Sequence, residues 1–96
     1  MNLRFTITGR TEFLAAIDYL RLENPVAAHK YFLHAKQILK RLEQFPNSGR
    51  FLPEFPDLPH REVIIPPYRF IYRVIHNTVW VVTIWHGARQ LKRPES

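Results

Sequence analysis

Residues 68–75 and 79–86 alternate between two sets of side chains for a full strand length each, and only His76-Asn77-Thr78 lies between them. Period-two patterning on both sides of so short a gap predicts a β-hairpin closed by a tight turn. A hairpin is not stable alone in water. Its apolar face needs further strands and a covering layer, which the rest of the chain must supply.

The cover is readable upstream. Phe13, Ala16, Ile17 and Leu20 recur at helical spacing, with Thr11 placed to cap that helix through its hydroxyl and Glu12 to sit in its first turn. A second helix is marked by Ala28, Tyr31, Phe32, Ala35, Ile38, Leu39, Leu42 and Phe45, and is stopped by Pro46 and Asn47-Ser48-Gly49. Asn24-Pro25 ends the first helix and starts the second, because proline disfavours helix in the preceding residue yet suits the first helical position. So short a link makes the two an antiparallel helix hairpin.

Leu3, Phe5 and Ile7 alternate with Arg4, Thr6 and Thr8, predicting a first strand over 2–8 that Gly9-Arg10 breaks. Residues 61–65 form a short strand halted by Pro66-Pro67. The stretch 50–60 holds three prolines among Phe51, Leu52, Phe55 and Leu58 and is expected to be a loop at the core edge, with Glu54, Asp57 and Glu62 solvated. The resulting order β-α-α-β-β-β predicts an α+β two-layer sandwich in one domain over residues 1–96. Its helix hairpin packs on a small, mostly antiparallel sheet whose other face stays at least partly open to a partner.

The sequence has no cysteine, which removes disulfides, thiolate metal sites and cysteine nucleophiles. No apolar run approaches bilayer-spanning length and the amino terminus does not resemble a signal peptide, so a cytoplasmic protein without a membrane partner is expected. A net charge of +6 favours polyanionic or acidic partners. The histidines are scattered: His29 and His34 point to different helix faces, and His60, His76 and His86 end separate elements. No metal site and no cofactor are expected.

Functional candidates concentrate in the last third. On the strand Tyr68-Arg69-Phe70-Ile71-Tyr72-Arg73, face parity groups Tyr68, Phe70 and Tyr72 with the core and leaves Arg69, Ile71 and Arg73 on the opposite face. Ile71 and Ile75, with Trp80 or Trp85 depending on register, would present apolar groups beside the basic ones. Such a surface suits an acidic amphipathic segment that folds on docking. Arg61 and Arg73 have a plainer reading as solvated strand residues that deter edge pairing. His86 has one as a strand-ending histidine bonded to backbone.

Several motifs, in order, resemble the RelE/ParE toxin superfamily. They are Asn24-Pro25-Val26-Ala27-Ala28 at the helix junction, Leu42, Pro46 and Gly49-Arg50 at the helix exit, Arg61, the Tyr68–Arg73 strand, and His86-Gly87-Ala88-Arg89-Gln90-Leu91. The resemblance implies the toxin of a type II toxin–antitoxin pair, of the kind known as plasmid stabilisation proteins, silenced by a cognate acidic antitoxin. RelE-like members are mRNA interferases that cut transcripts on the ribosome, whereas ParE-like members inhibit DNA gyrase. The His-Gly-Ala-Arg ending is more similar to the ParE-like branch. In an RNase, Arg69, Arg89 and His86 would be catalytic, yet the tail lacks the aromatic that RelE-like enzymes use for proton transfer. Arg61, Arg69, Ile71, Arg73, Trp85 and Arg89 are the candidates for binding target or antitoxin. An inactive homologue or a basic binding module remains the third reading.

Overall fold

The computed structural model describes residues 1–87, 89 and 91–94. Its elements run β1 (Asn2–Phe5), α1 (Ile7–Glu23), α2 (Pro25–Arg41), β2 (Arg50–Phe51), β3 (Arg61–Ile65), β4 (Tyr68–Ile75) and β5 (Thr78–His86). The sheet order is β1-β5-β4-β3-β2, parallel between β1 and β5 and antiparallel elsewhere. This is the expected α+β architecture, with one strand more than the sequence suggested. The addition is β2, a two-residue piece of the proline-rich stretch too short to show any periodicity.

The hairpin turn is tighter than expected. Thr78 already pairs with Ile75, leaving His76 and Asn77 as the two loop residues, at φ 48° and 61°. Positive φ at both positions matches the twist of the flanking strands, and asparagine tolerates it better than most residues.

The start of α1 differs from expectation for a physical reason. The first strand stops at Phe5, and Thr6, not Thr11, caps the helix by accepting the Gly9 amide at 3.0 Å. Thr6 Oγ1 also donates to the Val82 carbonyl at 3.1 Å, and its amide donates to the Val81 carbonyl at 3.0 Å. Glu12 is not in the first turn. Its carboxylate accepts from Thr83 Oγ1 at 2.6 Å and from the Ile84 amide at 3.0 Å. Where β1 ends, α1 therefore takes over the β5 edge, with the Val82 carbonyl met by the Thr6 hydroxyl and the Ile84 amide by the Glu12 carboxylate. Gly9 does not break the strand; it lets the helix close on β5, since a Cβ there would lie 2.3 Å from the Val81 carbonyl oxygen.

Asn24 joins the helices alone. Its amide donates to the Leu20 carbonyl at 2.9 Å, closing α1, while its side chain accepts the Ala27 amide at 3.1 Å, opening α2 with Pro25 next in line. The second helix ends at Arg41 rather than Phe45, and the chain turns through Leu42, which stays buried.

Between helices and sheet lies the main core, including Phe13, Ala35, Leu39, Ile65, Phe70, Tyr72, Val79 and Val81. Phe13 stands at its centre, with ring centroids 5.5 Å from Phe5, 5.8 Å from Phe32 and 5.6 Å from Phe70. Tyr72 is buried on this side as expected. Its hydroxyl donates to the Pro46 carbonyl at 2.7 Å and accepts the Gly49 amide at 2.9 Å, which pins the exit of α2 to the sheet. No helix among the described residues is long and apolar enough to cross a membrane.

Gly9→Ala should destabilise the fold by about 2 kcal/mol, as overpacking against a backbone that cannot retreat does, measured as a lower urea midpoint. Asn24→Ala removes the side-chain cap and should cost about 1 kcal/mol; a midpoint within error of the parent would show that the shared cap contributes nothing.

Candidate functional site

On the sheet face opposite the helices, pairing sets Arg69 against Trp85 on one side and Ile64 on the other, with Ile71 between Thr83 and Glu62. The register slips between Ile71 and Tyr72: Ile71 faces Thr83 and Tyr72 faces Val81, so Val82 is an extra residue on β5. An unbroken strand puts residues five apart on opposite faces. The bulge brings both Trp80 and Trp85 to this face, where they meet Ile71 and Val82.

This face is covered along part of its length. Leu52 and Phe55 from the proline-rich stretch, with Leu91 from the tail, cover Ile71 and Trp85 in a second apolar cluster. Ile71 is fully buried and Trp85 is 9% exposed. Turn bonds from the Phe55 amide to Leu52 and from the Leu58 amide to Phe55 set the apolar side chains at three-residue intervals along the stretch. That spacing was visible in the sequence and is the signal that could have foretold a lid.

The lid is fastened by charge. Arg69 reaches Glu54 through both terminal nitrogens, at 2.6 and 2.8 Å, and Glu62 Oε1 through Nε at 2.7 Å. Glu62 is itself buried, with its second oxygen held by Arg50. Two guanidiniums and two carboxylates thus balance in a cluster that joins β2, β3, β4 and the lid. The expectation that Glu62 is solvated is overturned; Glu54 is exposed as expected, but ion-paired. Glu62 shares a face with Ile64 and Arg69, a placement that strand parity could have signalled.

The remaining candidates divide by face. Arg89 is exposed and stacks on Trp85, its guanidinium carbon 4.3 Å from the ring centre, so Arg69, Trp85 and Arg89 form one continuous group. Lys92 and Arg93 continue this basic edge, with Arg93 bonded to Asp57 at 2.7 Å. They border a cleft of about 550 Å³ also lined by Thr8, Glu12, Val82, Thr83, Trp85 and Pro94. His86 lies elsewhere: it pairs across the strands with Tyr68, ring centroids 5.6 Å apart, on the helix side of the sheet. Arg69 and Arg89 are brought together; His86 is not brought to them. Arg61 and Arg73 line a separate cleft of about 350 Å³ beside β3. Of the sequence motif at this end, Ala88 and Gln90 lie outside the described residues.

Hydrogen bonds from Arg69 hold the Glu54 carboxyl down at about 2, against an ordinary 4.5. Its contribution to stability is therefore complete above pH 4.5 and is lost as pH falls through about 2. Acid titration of folding, followed by tryptophan fluorescence, should show a decline in that window which Glu54→Gln removes. An unchanged acid limb in the variant would mean that the lid is not held by this carboxylate.

A family model described as the ParE toxin of the type II toxin–antitoxin system parDE matches residues 3–91. Among solved structures, the chromosomal ParDE toxin–antitoxin system from P. aeruginosa superposes with a TM-score of 0.74 at 23% identity, covering 90% of this chain and 95% of that one. That likeness bears on the fold. Comparison with curated proteins gives no match. With the family model spanning both helices and every strand from Leu3 onward, the chain belongs to the ParE toxin family of type II toxin–antitoxin systems.

Proposed function

We propose that this toxin is kept silent by a cognate acidic antitoxin and that, once released, it arrests growth by engaging DNA gyrase. The observation that carries the choice of target is the engagement of Arg69 with two carboxylates. Cleavage of RNA through its own 2′-hydroxyl needs a base, a cation for the phosphorane and an acid for the leaving oxygen. Arg69 is already neutralised and His86 stands across the sheet from Arg89, so these three do not converge on one phosphate. A binding poison has no such requirement. It needs a firm surface carrying accessible cations, and Arg89 over its Trp85 platform, with Lys92 beside it, supplies one.

An acidic antitoxin is supported by the net charge of +6 and by a family defined by toxins of paired systems. Long-range attraction between opposite charges speeds the encounter, and burial of the exposed apolar residues would then stabilise a small domain.

Expression of the chain alone should stop growth, relax DNA supercoiling and induce the DNA-damage response. Co-expression of a neighbouring acidic reading frame should restore growth, and His86→Ala should leave the arrest largely intact. Codon-phased breaks in transcripts with normal supercoiling would overturn the gyrase reading in favour of a ribosome-dependent nuclease; unchanged growth would mark an inactive homologue. Arg69→Ala is a poor probe of chemistry, because removing one partner of a buried ion cluster costs about 3–5 kcal/mol and unfolds a marginal domain.

A further inference from the structure

Beyond the lid, the strand register sets Arg4, Trp80 and Arg73 in one row across β1, β5 and β4. We infer that this row is a platform for single-stranded DNA, with an unstacked base laid on the Trp80 indole and phosphates met by the flanking arginines. The platform rests on geometry; only the choice of DNA over RNA rests on the target proposed above. All three residues belong to the sheet face opposite the helices. Leu3 and Phe5 pack into the helix-side core, so Arg4 between them is on the other side. Tyr72 also joins that core, which leaves Arg73 on the face of Ile71, and Trp80 packs at the border of the lid cluster.

The row has the chemistry of a cationic stacking surface. Adjacent strands lie about 4.8 Å apart, so the α-carbons of the two arginines flank the tryptophan at about 10 Å from each other. β1, β4 and β5 contain no acidic residue. Among the described residues neither Arg4 nor Arg73 makes an ion pair, whereas Arg69 on the same face is held by two carboxylates. Arg4 is exposed, and Trp80 and Arg73 are partly so. The Nε of Arg73 is buried without a hydrogen-bond partner, which leaves a donor unsatisfied on that flank. Trp85, the other tryptophan of this face, is closed beneath the lid and already carries Arg89.

A nucleotide strand fits this row better than a peptide. β5, which carries the indole, is paired on both sides, so no open backbone edge lies beside it for an added peptide strand. What the surface offers is a π-face between cations. Proteins hold single strands by that combination, with bases stacked on aromatic rings and basic side chains following the phosphates. A duplex keeps its base faces stacked on one another and could use only the arginines. An acidic peptide could use the arginines too, but gains no stacking.

The test titrates the full chain with fluorescein-labelled octathymidylate, affinity being read from anisotropy and stacking from quenched tryptophan fluorescence. Octaglutamate, a DNA duplex of equal length and octauridylate serve as competitors. Octathymidylate should bind more tightly than octaglutamate or the duplex and quench the protein fluorescence. Trp80→Leu should weaken binding about tenfold, and Trp80→Phe, which keeps an aromatic face, should recover most of it. Arg4 is exposed and has no ion-pair partner, so Arg4→Gln should keep the urea midpoint of the parent. It should also lower the slope of log affinity against log salt by about 0.7, the share of one phosphate on a single strand. Equal affinity for octaglutamate or for the duplex, or unchanged affinity in both Trp80→Leu and Arg4→Gln, would overturn the platform. Tighter binding of octauridylate would overturn DNA as the strand. The titration involves no gyrase. A failure there leaves the gyrase reading standing, since that rests on Arg69 and Arg89, and normal supercoiling in cells leaves the platform standing.

Discussion

The guanidinium of Arg69, enclosed between Glu54 and Glu62, ties the proline-rich stretch to β3 and β4 and so decides how much of the second sheet face the protein can present. Taking such charges out of water is costly, and a buried ion cluster adds little net stability over an apolar replacement. What it adds here is position. Leu52 and Phe55 could cover the sheet in several arrangements, since apolar contact is not directional. A bidentate fork on Glu54 accepts only one, and Glu62 with Arg50 fixes the strand below it.

The two faces of the sheet are thus closed by different physics. On the helix side, aromatic rings and aliphatic side chains fill the layer around Phe13, and the polar groups at its margins are satisfied one by one: Thr6 and Glu12 along β5, Tyr72 at the exit of α2, Tyr31 on the Ile65 carbonyl. On the other side a thin lid and a charge cluster leave parts of the surface uncovered. Those uncovered parts are where Arg89 emerges over Trp85. Burial confirms this division for the tyrosines as well, with Tyr72 pushed above its ordinary pKa by desolvation.

Most of the architecture was legible because it is written in periodicity. The hairpin, both helices, the Asn24-Pro25 junction and the core assignment of Tyr68, Phe70 and Tyr72 all follow from spacing of two or of three to four. The features that escaped have no period to display. β2 is two residues long. The cap at Thr6 is an interaction with β5, distant in sequence, so local rules pointed to the more familiar Thr11. Glu62 reads as solvated because charge alone says nothing about which arginine the fold will set against it. For the candidate site, parity correctly separated Arg69 from Tyr68, yet it could not show that a loop closes over Ile71.

The additional residue at Val82 acts as a phase shift within β5. Upstream of it, odd and even positions keep one assignment to the two surfaces; downstream the assignment is exchanged. Were Val82 absorbed into the ladder as an ordinary strand residue, His86 would fall on the lid side and Trp85 would turn toward the helices, taking with it the indole on which Arg89 rests. The outer chemistry of this strand end is therefore set by how one residue is accommodated as much as by the identity of the side chains around it.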